Sequence, residues 1–405
     1  MKGDDDMADI VQICNPNCKK LKSVMHPITD ICICKKNTLS KSIYNVSDPI
    51  IPNKGKISDM LLVKKSCMLK WITRDFPAGP AYTGGFIVAG DSIVIRYDIG
   101  IVFGVRHTVL RSSDGGESWH VIPLGQPNAL WARGAYGNGK IVLCGRSTLN
   151  INLFETVVSD DLGLTWVSST TEIPPPTPGT PVSHIEAAAL TFDKSKGMFV
   201  ALFRRGMIGT SIDGISWNTQ QIIEPSTVGH LIANAAYHNG LCTFISNITT
   251  LPTFAPNRHV SIRSKDLIQW SVEDIITSIP FACNDSGMYM FLPANHWGNP
   301  HSLSTYDFVN WEQHEVPPLP FGNFAPHWQN IVAADDLFIS TNTSTNTGVE
   351  SAVFINGKWC PVSAPENQTF TAMRNSQLVY VPKFQRVINW HAGGNRVLTM
   401  DLEME

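Results

Sequence analysis

Charge is scarce in this sequence of 405 residues: Asp, Glu, Lys and Arg make up only 16 % of it, against about 25 % in ordinary soluble domains. With a formal net charge of −3, no general attraction to polyanions follows. Long apolar runs are missing too; no window approaches the roughly 18 apolar residues that a spanning helix needs. The opening Met1-Lys2-Gly3-Asp4-Asp5-Asp6 is acidic and precedes no apolar core, so it does not read as a secretory leader. No phosphate-binding loop, dinucleotide fingerprint or Gly-x-Ser-x-Gly elbow occurs. Nine cysteines are an odd number, five of them (Cys14, Cys18, Cys32, Cys34, Cys67) near the start and four scattered. That pattern argues against a disulfide framework and for synthesis in a reducing compartment.

What the chain does have is a repeated octad. Ser112-Ser113-Asp114-Gly115-Gly116-Glu117-Ser118-Trp119 places an Asp where its carboxylate can accept turn N–H groups, glycines where φ is positive, and a Trp opening the next strand. Ser159-Asp160-Asp161-Leu162-Gly163-Leu164-Thr165-Trp166 repeats it. Shorter copies end at Trp217, after Asp213, and without glycine at Trp270, after Asp266, and Trp311, after Asp307. Phe354-Ile355-Asn356-Gly357-Lys358-Trp359 keeps the turn and Trp but not the Asp. Together with Trp71, these tryptophans step by 48, 47, 51, 53, 41 and 48 residues. A period of that length carried by short β-rich runs signals an all-β fold, a seven-bladed β-propeller, with six blades the alternative.

These octads resemble the Asp-box (BNR) repeat of the sialidase-like propeller superfamily, over residues 61–405. The resemblance implies that the box is a structural hairpin between the two outer strands of a blade, away from the ligand face. It does not extend to chemistry. Sialidases of this kind carry an Arg-Ile-Pro motif before the first box; here the nearest segment is Val94-Ile95-Arg96-Tyr97. Glycosidases generally need two carboxyl groups facing one bond, and the inner-strand positions offer mainly Glu186.

The first 60 residues differ from the rest, with no Trp and no repeat. Twelve of the 18 lysines lie in residues 1–70 against seven acids, about +5 there and −8 elsewhere. They read as an N-terminal arm or anchor, the propeller occupying 61–405. Within the arm, Cys14, Cys18, Cys32 and Cys34 are candidate zinc ligands, but their spacings of x3 and x1 depart from the usual paired x2–4 pattern; small buried or free thiols are the simpler reading. At the other end three strands finish at Arg396–Asp401, and Thr399-Met400-Asp401 stands where a box would begin. Pairing this strand with the one containing Trp71 closes the ring and removes two open edges.

Candidate ligand residues follow from the inner strands, which in propellers line the mouth. Three open on a His and a large apolar residue: His184-Ile185, His230-Leu231 and His327-Trp328; the second unit offers Trp131 and Arg133, and Glu186 and Asn234 follow closely. Aromatic faces with orienting Arg and Glu suit a sugar face or a peptide loop. A strand-end histidine bonded to a local carbonyl is the plainer explanation of each His. The lysines of the arm lack interleaved aromatics, which argues against nucleic acid. The reading is a non-enzymatic recognition or scaffold propeller needing no cofactor. Its arm meets a protein partner and its face a glycan or protein, in the setting of a virion tail component made in the cytoplasm. A glycoside hydrolase or a cytosolic assembly factor are the alternatives.

Overall fold

The computed structural model describes residues 69–75, 84–98, 108–125, 129–150, 152–173, 186–224, 230–249, 258–276, 280–292, 301–316, 328–343, 349–362, 378–390 and 396–402. The arm with its four candidate cysteines, and His184 and His327, lie outside them. The first strand among the described residues is β1 (Ile72–Asp75). Blade A holds β2 (Gly84–Ala89), β3 (Ile93–Asp98), β4 (Thr108–Ser112) and β5 (His120–Pro123); blade B, β6 (Ala129–Gly137), β7 (Lys140–Ser147), β8 (Leu153–Ser159) and β9 (Val167–Glu172). Blade C holds β10 (Ala187–Asp193), β11 (Met198–Phe203), β12 (Met207–Ser211) and β13 (Asn218–Gln221); blade D, β14 (His230–His238), β15 (Leu241–Thr249), β16 (Arg258–Ser264) and β17 (Ser271–Asp274). Blade E is short, with β18 (Phe281–Cys283), β19 (Tyr289–Phe291), β20 (His301–Thr305) and β21 (Glu312–Glu315). Blade F holds β22 (Trp328–Ala334), β23 (Leu337–Thr343), β24 (Val349–Ile355) and β25 (Lys358–Val362), and β26 (Leu378–Val381), β27 (Arg386–Trp390) and β28 (Arg396–Asp401) end the chain.

The strands make seven four-stranded antiparallel sheets, the seventh, blade G, holding β26, β27, β28 and β1, and the first strands of successive blades touch from A round to G and back. The protein is a seven-bladed β-propeller. Each blade is covered on both faces, so second strands such as Ile141-Val142-Leu143-Cys144 are buried without alternation, whereas the outer strand Asn218–Gln221 is polar and exposed throughout. Seven apolar clusters fill the seven blade-to-blade joints, and the Trp that opens each outer strand sits in the joint with the preceding blade: Trp119 against Ile388 and Trp390, Trp217 against Phe154, Trp71 against Ile339 and Val353.

The repeat turns join third and outer strands as expected. Asp114 Oδ1 accepts the N–H groups of Glu117 (3.1 Å) and Ser118 (2.9 Å), and the Ser112 hydroxyl accepts that of Gly116 (2.8 Å). Asp161, Asp213, Asp266 and Asp307 repeat the arrangement. Partial burial raises the Asp161 pKa, but hydrogen bonds from Thr165, Ser159 and Leu164 outweigh it and bring the carboxyl to about 2.

Packing explains the glycine kept in three of the Asp-bearing turns. A Cβ on Gly116, Gly163 or Gly214 would stand 2.9, 2.5 or 2.4 Å from Ile388, Ile95 or Val142, the second-strand side chain of the preceding blade. In blades D and E the relation reverses: Leu267 and Phe308 take the positive φ themselves, at 63° and 65°, and bury their own side chains in the joint. The strained backbone costs about 1–3 kcal/mol at each, offset by burying a large apolar group.

Blade G is built from both ends of the chain, in the order β26-β27-β28-β1. Ile72 pairs with Thr399 as His120 pairs with Arg111 in blade A, so Trp71 matches Trp119 and Met400 matches Ser112. This shifts the expected box start by one residue, from Thr399 to Met400. Asp401 is therefore no turn aspartate; it pairs with Arg386, which also meets Glu117 of blade A at 3.1 Å, while Arg74 of β1 meets Glu117 at 3.4 Å.

The joint between blades E and F carries a pH-sensitive group. His314 sits edge-on to Phe354, centroids 4.7 Å apart, with Nε2 2.7 Å from Ser304 Oγ. Burial lowers its pKa, opposed by Glu312 and the Gly357 backbone. A folded-state value below the unfolded one of about 6.5 means that its contribution to stability is complete above that pH and is lost as pH falls below it. The protein should therefore melt progressively lower between pH 7 and 5, and His314→Gln should flatten that slope; equal slopes in the two proteins would refute the assignment.

Candidate functional site at the mouth of blades B and C

Inner strands all begin at one face, the mouth. There three of them are bulged at one level, at Ala132 in β6, Ala188 in β10 and Gln329 in β22. Bulges re-aim neighbouring side chains. The β6 bulge fits because residue 145 is Gly: a Cβ there would lie 2.3 Å from the Leu130 carbonyl oxygen. Next in β6 comes Arg133, opposite Cys144. Asn234 opposite Ile245 and Asn330 opposite Thr341 hold the same register on their inner strands.

Arg133 is positioned by the bulges. Its Nε donates to the Ala188 carbonyl at 2.6 Å and its Nη1 to the Ala132 carbonyl at 2.7 Å, one acceptor from each blade. Among the described residues no carboxylate lies within ion-pair range of it, and the half-buried guanidinium keeps further N–H groups unused. Glu186, just before β10, is engaged instead by Arg204, Nη2 to Oε1 at 3.1 Å. Arg204 and Arg205 form the tight turn between β11 and β12, which Gln221 holds through the carbonyls of Arg205 and Gly206 at 3.0 and 3.1 Å. Arg205 is buried, reaches Asn152 Oδ1 at 3.4 Å, and has its pKa lowered by burial. Burial pushes the Cys144 thiol up to about 12 despite Arg133, so it stays protonated and is no nucleophile.

The structure thus brings Arg133 and Glu186 to one mouth. It moves Trp131 elsewhere: with 3 % exposure the ring belongs to the core between blades A and B. The alternation of β6 turns residue 131 toward blade A, and the bulge turns residue 133 toward blade C. Asn234 lies on blade D, half-buried. His230 and Trp328 are on β14 and β22 opposite Thr249 and Asn342, their side chains outside the described residues. Arg204, Arg205 and Asn330 were not singled out from sequence; the available signal was Phe203-Arg204-Arg205-Gly206, two adjacent arginines on the shortest turn at the mouth.

No protein-family model matches the sequence, and no curated protein matches it. Solved structures do. YCF48 bound to D1 peptide aligns with a TM-score of 0.55 at 10 % identity, over 82 % of this chain and 96 % of that one. The WD40 repeats of RRP9 align with a TM-score of 0.53 at 10 % identity, over 82 % and 97 %. U3-55K aligns with a TM-score of 0.52 at 10 % identity, over 82 % and 98 %. At this identity the likeness is one of fold, and the fold is the β-propeller.

Proposed function

We propose that this chain is a non-enzymatic recognition propeller whose mouth at blades B and C takes an acidic segment of a partner protein. One observation carries the reading: Arg133 is held by two bulge carbonyls from two blades, with no carboxylate paired to it among the described residues. A guanidinium fixed in this way has lost its rotamer freedom before binding and offers a planar fork to a carboxylate. Arg205, buried in the adjoining turn, adds positive charge, while Arg204 is balanced by Glu186. A propeller of similar fold solved bound to a peptide supports the same use.

The five Asp-bearing turns support placing the chain among diverged Asp-box propellers. Low charge content and the Lys-rich arm 1–60 support a virion tail setting in which the arm meets a second protein and the mouth a receptor, protein or glycan.

The test is a titration by fluorescence anisotropy with a short acidic peptide. Arg133→Ala should weaken binding at least tenfold, about 1.4 kcal/mol, and Arg133→Lys should not restore it, because an ammonium lacks the fork. Equal affinity in wild type and Arg133→Ala would retire the site. Glycan hydrolysis by the wild type, lost in Glu186→Gln, would establish a hydrolase instead.

A further inference from the structure

The face opposite the mouth carries a second surface. Of the eleven exposed large apolar side chains among the described residues, six lie on the repeat turns of four consecutive blades: Leu162 and Leu164 on B, Ile212 on C, Ile268 on D, Tyr306 and Val309 on E. Their exposure is high, 69 % for Ile268 and 77 % for Val309. The turns of the flanking blades differ. Blade A presents Ser113 and Glu117, the latter paired with Arg386 and Arg74, and blade F presents Asn356-Gly357-Lys358. The turn needs its Ser or Thr, its Asp and its Trp; nothing in that geometry asks for an apolar residue at the outward positions.

The arc is also rigid. Side chains of the preceding blade capture the turn carbonyls in series: Arg111 Nε donates to Leu162 O at 2.9 Å, Thr171 Oγ1 to Ile215 O at 3.3 Å, and Gln220 Nε2 to Ile268 O at 3.2 Å. Surface held this way orders little further on contact. Its charge is mostly negative, with Lys265 and Arg111 the cations on it. Asp161, Asp213, Asp266 and Asp307 are kept ionised by turn N–H groups, and Asp160 and Glu312 are exposed beside them, against Lys265.

We infer that this rim is a docking surface for a protein segment that presents apolar side chains among basic residues. Apolar patches of this kind on a soluble surface mark interaction sites. The carboxylates select for positive charge and disfavour an anionic lipid surface. A partner held here leaves the mouth open, so one propeller joins two partners on opposite faces.

The probe is a fluorescent peptide of alternating Lys and Leu, titrated onto the full-length protein, with Glu–Leu and Lys–Ser peptides and phosphatidylserine vesicles as comparisons. Wild type should bind the Lys–Leu peptide, more weakly as salt rises, and the two comparison peptides at least tenfold less. Leu164→Ser, Ile212→Ser, Ile268→Ser and Val309→Ser combined should weaken Lys–Leu binding at least tenfold, as should Asp160→Lys with Glu312→Lys. Should the fourfold variant melt below wild type, Ile268→Ser and Val309→Ser are read singly, each with a loss of at least twofold. Arg133→Ala should leave this binding unchanged, which separates it from the mouth. Equal affinity in wild type and the serine variants, or phosphatidylserine vesicles bound in preference to the peptide, would overturn the inference.

Discussion

Removing residues 394–405 should abolish the cooperative melting transition. The deleted segment contains β28, the strand between β27 and β1, so its loss unpairs β1 and leaves half a blade. Val397, Leu398, Met400 and Leu402 are all buried. At about 1.5–3 kcal/mol for each buried side chain, their loss is worth about 6–12 kcal/mol, as large as the whole stability of a typical domain. The Arg386–Asp401 pair goes as well, leaving a buried arginine with less compensation. A truncated protein that still melted cooperatively within a few degrees of wild type would show that the ring does not depend on this closure.

Trp131→Ala should destabilise the protein by about 3–5 kcal/mol, the range for removing a large buried aromatic. Its ring fills the joint between blades A and B beside Ile95, Ile141 and Leu143. Since it does not reach the mouth, the folded variant should bind the acidic peptide with wild-type affinity. Denaturant titration gives the first quantity as a shifted midpoint at constant slope, and anisotropy the second. A stable variant with lost binding would return Trp131 to the ligand face.

The two aromatic and basic candidates of β6 show how far sequence reaches. The period of the tryptophans, the Asp-bearing turns and the unmatched strand at Arg396–Asp401 are local or periodic signals, and architecture follows from them. Whether residue 131 or 133 faces solvent depends on a bulge at Ala132, set by the close approach of Leu130 to Gly145 from the next strand. Alternation alone puts the two residues on one face; the bulge separates them. The tie between Arg133 and the Ala188 carbonyl spans 55 residues and two blades, and no local pattern announces it. The apolar rim was in plain view in the octads, but each Ile or Leu there reads singly as tolerance of variation. Only when four turns stand side by side do they form a surface.

The seventh blade also orders events during synthesis. Arg74 bonds Thr399 across 325 positions of sequence, and Trp71 bonds Ser351 across 280. Among the described residues β1 is the earliest strand and its partner β28 the latest, so blades A to F are made between the two parts of one blade. Six blades can assemble as they are made, each on the one before, while the first and last faces of the stack stay open. The closing contacts carry the largest loop-closure cost of the described pairings, so ring closure is the entropically most expensive step of this fold.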